Sequence, residues 1–398
     1  MAPARPLWRR AAPVLAAGAV LLLGAAAWLA ARAATPCPAP NATCAVPRFS
    51  GAAPWAQQHA AAGAATAPTA ASSTPRAPRV AIVALAREAD AGDLACTLRS
   101  FDGAYNGRRR HPYVIMSEEP WSARARAALE AETDARVLFV VLPASAWSLP
   151  RPGAAGAASG APPRERGQPP PRYYGDTDAY RKMCRFFSGP FFQLPALAEF
   201  DFYWRLDAHV RYICDIDDAD DPVALLARRG GVYAFGIVMQ EQMRTVPSLW
   251  GVAAAFAEAQ NASAALRSWG HGGTGGSWAR GCHFWSNLEV GSLAFFRGAA
   301  YQQWFAAADA AGGFVDERWG DAPVHTLGLM MLAPRSQVLY LPELGYQHPP
   351  NFRCPRSGVC RQRGAQVPCR GDPFAGCMRD IADGIAHDEG CALDDMLQ

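Results

Sequence analysis

Three short apolar runs constrain the fold of this chain more than any other feature. They span Val80 to Leu85, Tyr113 to Ser117 and Arg136 to Pro143. Short, almost wholly apolar runs are typical of strands that are buried on both faces of a sheet. Amphipathic segments separate the runs, so strand and helix alternate. We therefore predict an α/β domain with a mostly parallel, Rossmann-like mixed sheet flanked by helices.

The segments between the runs have helical periodicity. The first carries one apolar face at positions i, i+4, i+7 and i+11, formed by Leu94, Leu98, Phe101 and Tyr105. Asn106-Gly107 is predicted to end this helix, because glycine and asparagine favour helix C-termini. A second, alanine-rich helix is predicted from Ser122 to Thr133.

Later parts of the chain extend the same pattern. Further strands are predicted at Val232 to Val238, Leu288 to Phe296 and Val338 to Leu344. Helices are predicted at Ala299 to Ala311 and Pro323 to Leu332. Residues 79–398 are numerous enough for one large domain or two small ones.

The N-terminus indicates a membrane anchor. Residues 11–31 carry no charge, and about 21 helical residues at about 1.5 Å each span a hydrocarbon core of roughly 30 Å. Arg5, Arg9 and Arg10 precede this run, so the positive-inside tendency places residues 1–10 in the cytosol. The alternative is a cleaved signal peptide.

Two segments are too poor in large apolar residues to form a core. Residues 32–78 are rich in Ala, Pro, Ser and Thr and are predicted to be a disordered stem. Residues 150–172 are rich in Pro and Gly and are predicted to be an exposed insertion. The net charge of +3 is spread along the chain, with no basic stripe beyond Arg108 to Arg110, so we expect no nucleic-acid partner.

The cysteines favour disulfide bonds over a zinc site. The chain has 11 cysteines, and a lumenal location permits disulfides. Five of them lie in a C-terminal tail, residues 354–398: Cys354, Cys360, Cys369, Cys377 and Cys391. No C-x2-C pair, which zinc sites commonly use, occurs among these five. We therefore predict a C-terminal tail held by disulfides.

An acidic stretch from Phe202 to Pro222 offers two metal sites. Asp207-Ala208-His209 follows a predicted strand at the edge where ligands bind in open α/β sheets. Asp215-Ile216-Asp217 is similar to the D-x-D motif by which many nucleotide-sugar transferases hold a divalent cation. The second cluster is equally consistent with a solvated loop that caps the helix beginning at Pro222. Composition leaves this choice open.

Two further residues stand out. Glu289 enters a predicted strand after Trp285 and Asn287, so we expect it to be half-buried with its carboxylate near hydrogen-bond donors, although a lone glutamate usually lies on the surface. His348 precedes two prolines that fix its backbone, although a single histidine in such a setting is most often structural.

Five ordered blocks resemble one family. They are YRKMCRFFSGPFF, YWRLDAHVRYICDI, CHFWSNLEVGSLAFFRG, GGFVDERWGDAPVH and GYQHPPNFRCP. They look like the blocks of the fungal-type GDP-mannose-dependent α-1,2-mannosyltransferases, glycosyltransferase family 15. The resemblance implies a single GT-A catalytic domain, a type II Golgi membrane protein, GDP-mannose as donor and Mn²⁺ as cofactor. It also implies retaining transfer to the 2-hydroxyl of an α-mannoside on a glycoprotein or glycolipid.

The resemblance also implies roles for individual residues. Asp207 and His348 would bind the metal, and Glu289 would be the catalytic carboxylate. Tyr180, near the donor sugar and phosphates, would be a second catalytic residue. Other residues expected at the donor site are Arg87, Tyr174, Arg181, Arg185 and Asp321.

The chain departs from the family at the metal block. The family has Glu-Pro-Asp where this sequence has Asp207-Ala208-His209, so His209 is a candidate third ligand. We also expect a disulfide between Cys184 and Cys214. Two alternatives remain: an inactive lumenal protein that binds mannosides, or a transferase that uses another sugar nucleotide.

Overall fold

The three apolar runs form neighbouring parallel strands of a seven-stranded sheet. The computed structural model describes residues 76–150, 175, 177–269, 281–348, 351–362 and 365–368. The strands are β1 (Val80–Leu85), β2 (Tyr113–Ser117), β3 (Val137–Val141), β4 (Phe202–Leu206), β5 (Arg211–Tyr212), β6 (Tyr233–Phe235), β7 (Val238–Gln240), β8 (Cys282–Phe284), β9 (Glu289–Ser292), β10 (Val338–Tyr340), β11 (Tyr346–His348), β12 (Asn351–Arg353), β13 (Val359–Gln362) and β14 (Ala365–Pro368).

The main sheet is mixed but mostly parallel, as predicted. Its strand order is β10-β6-β9-β4-β1-β2-β3, and β9 alone in this sheet runs antiparallel to its neighbours. Its helices are α1 (Ala91–Phe101), α2 (Ala123–Glu130), α3 (Asp178–Ser188), α4 (Pro222–Arg229), α5 (Leu249–Ala259), α6 (Ser263–Ser268), α7 (Leu293–Arg297), α8 (Ala299–Ala310), α9 (Gly313–Asp316) and α10 (Asp321–Leu332).

Both faces of β1 and β2 are buried, which explains their continuous apolar runs. The third run differs from the prediction: β3 lies at the edge of the sheet and is only partly buried, with Val141 51% exposed. Successive side chains of a strand point to opposite faces. In β1, Ile82 packs in the core that contains the apolar face of α1. Ala81 and Val83 pack on the opposite side, in the core that includes α3, α5, α8 and α10.

Several element boundaries differ from the predictions. The strand predicted from Val232 to Val238 is interrupted between β6 and β7, and the strand predicted from Val338 to Leu344 ends at Tyr340. The first helix passes Asn106 through a π-helical segment and ends at Arg110, which has φ +55°. The buried Asn106 side chain hydrogen bonds to the backbone of His111, so it fastens the following turn and does not end the helix. The strand predicted from Leu288 to Phe296 stops at Ser292, whose hydroxyl accepts a hydrogen bond from the Phe295 N–H and caps α7.

A small antiparallel sheet joins distant parts of the chain. Its order is β12-β11-β5, and Gln347 pairs with Arg211. The strand β5 begins four residues after Asp207, so this pairing brings the end of β11 beside the loop that follows β4.

The expected disulfide between Cys184 and Cys214 is wrong. Cys214 pairs with Cys360, with their Cα atoms 5.1 Å apart, whereas Cys184 is a buried free thiol. Cys184 lies in the α3 core, while Cys214 packs in a separate cluster with Cys360. Cys354 is also disulfide-bonded, which agrees with a tail held by disulfides.

Some predicted segments lie outside the described residues. They are the anchor at 11–31, nearly all of the stem at 32–78, nearly all of the insertion at 150–172, and Cys369, Cys377 and Cys391. In the part of the chain that the structure describes, no helix has the length and apolar character needed to cross a bilayer.

Candidate active site

Asp207 stands at the carboxyl end of the central strand β4. Its neighbours in the sheet are β1 and β9. The turn after it is fixed by Thr97 of α1, whose hydroxyl lies 2.9 Å from the carbonyl oxygens of Ala208 and Val210. Because ligands bind at the carboxyl ends of strands in open α/β sheets, this turn places Asp207 where a donor substrate is expected.

His348 lies beside Asp207, as the metal-site prediction requires. Pairing of β11 with β5 brings His348 Nε2 to 3.8 Å from Asp207 Oδ2. Both side chains are partly exposed, at 20% and 27%. Two ligands bonded to one divalent cation at about 2.1 Å each lie at most about 4.2 Å apart. One carboxylate and one imidazole at this separation therefore fit Mn²⁺, with open positions for phosphate oxygens.

His209 does not join this pair. Its side chain is 54% exposed, and its Nδ1 lies 3.3 Å from Asp93 Oδ2. Within the described ranges, no group of three or more His, Cys, Asp or Glu residues could hold a metal ion. The predicted three-residue set of Asp207, His348 and His209 is therefore not assembled, because the turn after Asp207 directs His209 toward α1.

Arg205 links Asp207 to Asp321. Its Nε lies 3.2 Å from Asp207 Oδ1, and its Nη1 lies 2.6 Å from Asp321 Oδ2. Ser286 also donates to Asp321 at 2.7 Å. Burial opposes ionisation of Asp321, but attraction to Arg205 and these hydrogen bonds outweigh it and lower its pKa. Asp321 thus belongs to the site through Arg205, as a buried carboxylate.

Glu289 opens β9, next to the end of β4. Its side chain is completely buried. Tyr233 donates a hydrogen bond to its Oε2 at 2.8 Å, and His325 Nδ1 lies 3.1 Å from the same oxygen. Oε1 has no hydrogen-bond partner in the described part of the chain. The prediction that Glu289 lies near donors is confirmed, and its burial is greater than expected.

The residues predicted near the donor have different environments. Tyr180 of α3 is half-buried, and the Cys184 thiol beside it, burial and Asp321 raise the pKa of its phenol well above the usual range. Arg87 pairs with Asp90 through two hydrogen bonds of 3.0 and 3.1 Å, and its side chain is 81% exposed. Tyr174 lies outside the described residues.

Arg181 and Arg185 have structural contacts. Arg181 is buried and donates to backbone carbonyls at the end of α9, including that of Glu317 at 2.5 Å. Arg185 makes a two-pronged ion pair with Asp309, with distances of 2.6 and 2.7 Å. Their position in the YRKMCRF block predicted donor binding, but these contacts connect α3 to α8 and α9.

The second acidic cluster lies apart from Asp207. Asp221 caps α4 by accepting from the Val223 and Ala224 N–H groups, and Asp217 pairs with Arg361. A cavity of about 380 Å³ lies here, lined by residues that include Asp215, Asp217, Asp220, Glu343 and Arg361. The helix-capping interpretation is confirmed for Asp221.

Arg205 and His325 are the main site residues to which sequence reasoning gave no role. Arg205 lies in the apolar run FYWRLD, and a charged residue inside a buried strand is a usable signal. His325 lies in the block GGFVDERWGDAPVH, but nothing local shows its partner. Its contact, Glu289, is 36 residues away.

The fold and this site define a glycosyltransferase with an open, mostly parallel α/β sheet. A sequence model described as "Glycolipid 2-alpha-mannosyltransferase" matches residues 53–377. The chain therefore belongs to this family.

Individual relatives agree with this family assignment. The chain is 34% identical over 284 residues to O-glycoside alpha-1,2-mannosyltransferase homolog 2 of Schizosaccharomyces pombe, which covers 70% of this chain and 74% of that protein. It is 34% identical over 279 residues to glycolipid 2-alpha-mannosyltransferase 1 of Candida albicans, covering 69% and 63%. The crystal structure of core-mannan synthase A from Aspergillus fumigatus, in a Mn/GDP form, is 30% identical, covers 78% of this chain and 84% of that one, and has a TM-score of 0.61.

Proposed function

We propose that this chain transfers mannose from GDP-mannose to the 2-hydroxyl of an α-mannoside, with retention of configuration. The family match and the names of the relatives support this activity. The Mn/GDP form of the Aspergillus structure supports Mn²⁺ and a guanosine diphosphate donor. The observation that carries the assignment to this chain's own residues is the Asp207–His348 pair at the end of β4, with the buried Glu289 at the start of the neighbouring strand β9.

Asp207 and His348 are the residues that would hold Mn²⁺. When bound, the cation neutralises the charge that develops on the diphosphate as the bond to mannose breaks. Arg205 fixes the orientation of Asp207 through Oδ1, while Oδ2 faces His348. The carboxylate is thus held before the metal arrives, which reduces the entropy cost of binding.

Glu289 is the proposed catalytic carboxylate. Retention requires either a covalent glycosyl intermediate, in which the carboxylate attacks the anomeric carbon as GDP leaves, or departure and attack on one face. In the second route Glu289 stabilises a sugar centre with positive charge. Either route needs the ionised side chain.

The donor site is completed by residues near Asp207. We assign Tyr180 and Arg87 to it, because Tyr180 lies close to Asp321 and Arg87 follows the carboxyl end of β1. Asp321 contributes to the donor site indirectly, through its ion pair with Arg205. The structural contacts of Arg181 and Arg185 do not support a direct donor contact.

The proposed acceptor and cellular location are those that the resemblance to the α-1,2-mannosyltransferase family implies. A mannosylated glycoprotein or glycolipid is the proposed acceptor. We place the catalytic domain in the Golgi lumen, on a single-pass type II anchor at residues 11–31. Protease protection of the C-terminal domain in sealed Golgi vesicles tests this topology, and digestion without detergent contradicts it.

The activity is tested by incubating the purified full chain with GDP-mannose, Mn²⁺ and methyl α-mannoside. We expect a disaccharide whose linkage, determined by NMR, is α-1,2, and we expect EDTA to stop its formation. Binding of GDP-mannose without product contradicts the proposal and favours an inactive mannoside-binding protein. Product formed only with another sugar nucleotide contradicts the donor assignment.

A further inference from the structure

A buried hydrogen-bonded chain connects Glu289 to the backbone of α3. His325 of α10 lies between them, with Nδ1 3.1 Å from Glu289 Oε2 and Nε2 2.9 Å from the Phe187 carbonyl oxygen. Both side chains have no exposed surface. The imidazole also packs against the rings of Phe192, Phe296 and Tyr301, so its orientation is fixed on all sides.

The partners of His325 determine where its protons lie. A carbonyl oxygen only accepts hydrogen bonds, so Nε2 must carry a hydrogen. The contact between Nδ1 and Glu289 then needs one more proton, either on Nδ1 or on Oε2. Tyr233 already donates to Oε2, and an oxygen that receives two donors is typical of an ionised carboxylate. The geometry therefore favours an imidazolium paired with a carboxylate.

The charged groups around the pair agree with this state. Burial lowers the pKa of His325, but the carboxylates of Glu289 and Asp321 outweigh burial and raise it overall. The hydrogen bonds of Arg205 to carboxylates go to Asp207 and Asp321. Burial raises the pKa of the nearby Tyr203, Tyr233 and Tyr301 phenols, which stay neutral.

We propose that His325 is a positioning residue: as an imidazolium tethered to the Phe187 carbonyl, it keeps the buried Glu289 ionised and fixes its orientation. The protein then holds Oε2, and Oε1, which lacks a hydrogen-bond partner in the described ranges, is the oxygen left for the reaction centre. An isolated buried carboxylate takes up a proton to avoid the cost of desolvation. This inference rests on the proposed catalytic role of Glu289.

The test uses His325→Asn in the full chain with Mn²⁺ and GDP-mannose. Asparagine retains an N–H near the position of Nδ1 but carries no charge. We expect kcat at pH 7 to fall roughly 100-fold and the KM for GDP-mannose to change less than about threefold. The acid limb of the pH–rate profile should move to higher pH, so activity partly recovers in alkaline buffer. A merely structural role predicts a uniform loss across pH.

Tyr233→Phe is the matched control, because it removes the other hydrogen bond to Oε2 without removing a charge. We expect a smaller fall in kcat and no movement of the acid limb. An unchanged kcat and pH profile in His325→Asn overturns the proposal. If that variant does not fold, ¹⁵N-histidine NMR of the wild-type chain decides: a doubly protonated ring at pH 7 supports the proposal, and a neutral tautomer overturns it.

The variant Glu289→Gln distinguishes a failure of the catalytic role proposed for Glu289 from a failure of the positioning role proposed for His325. Normal turnover in Glu289→Gln contradicts the catalytic role of the carboxylate, and with it the proposed residue assignment. Strong loss in Glu289→Gln with wild-type behaviour of His325→Asn contradicts only the role of His325.

Discussion

Arg205 is the residue on which the charge balance of the site depends. It is 3% exposed, lies 3.8 Å above the Phe187 ring and binds two carboxylates, Asp207 and Asp321. A guanidinium can do this because its donors lie in a rigid planar fork. Sequence reasoning could identify Asp207 from its place after a strand, but Asp321 is 116 residues from Arg205, so local patterns carried no sign of the pair.

Replacing Arg205 tests how much its ion pairs with Asp207 and Asp321 contribute to the stability of the protein. Breaking a buried ion pair by removing one partner costs about 3–5 kcal/mol, because a buried charge stays uncompensated. We expect Arg205→Gln to lower the free energy of unfolding by about that amount, and Arg205→Lys to lower it less.

Urea denaturation measures both Arg205 variants. Arg110→Gln is the control, since its ion pair with Asp134 is exposed at 65% and 81% and such pairs contribute little. Equal losses in Arg205→Gln and Arg110→Gln would contradict the assigned role of Arg205.

At the scale of elements, the sequence predicts where a strand lies better than it predicts the residue at which an element ends. Two predicted strands, Val80–Leu85 and Tyr113–Ser117, have the observed bounds. Both are buried on both faces, so a continuous apolar run predicts them. Distant contacts set other boundaries. The continuation past Asn106 depends on its contact with His111, and the three-stranded sheet that positions His348 joins segments more than 130 residues apart.

Helix α10 carries Asp321 and His325 into the site, and its close packing depends on Gly328. A Cβ atom there would lie 2.8 Å from Trp304 Cδ1 and Tyr301 Cε2. We expect Gly328→Ala to lower the free energy of unfolding by about 1–3 kcal/mol through overpacking.

Gly251→Ala in α5 is the matched control for this substitution. That position has nothing within 4 Å of a new Cβ, so the better helix propensity of alanine should stabilise the protein by up to about 1 kcal/mol. Thermal melts of both variants measure the difference. Two shifts of the same sign and size would contradict the packing around Gly328.

At the scale of the whole molecule, the site is assembled from strands β4, β6, β9 and β11 and helix α10. The resemblance to the mannosyltransferase family identified Asp207, Glu289 and His348 together, whereas composition alone favoured Asp215 and Asp217 equally. The disulfide prediction failed because local sequence does not show which cysteines are close in space. Cys214 and Cys184 lie in different clusters.

The buried charges also set the response of the molecule to acid. The folded-state pKa of Asp321 is lowered, so the unfolded state takes up its proton at higher pH than the folded state does. Its contribution to stability is therefore full above its ordinary pKa of about 3.9 and is lost as pH falls through the lower, folded value. We expect the difference in unfolding free energy between wild type and Asp321→Asn to be constant from about pH 5 to 6, below the ordinary pKa of His325, and to shrink below about pH 4. A difference that grows on acidification contradicts this sign.

The central claim is that Asp207, with His348, holds the metal for mannosyl transfer. Mn²⁺-dependent turnover of GDP-mannose by Asp207→Ala, compared with the double variant Asp215→Ala and Asp217→Ala, tests it most directly. We predict that Asp207→Ala abolishes turnover while the double variant retains most of it. Loss of turnover in the double variant with activity kept in Asp207→Ala would contradict the account.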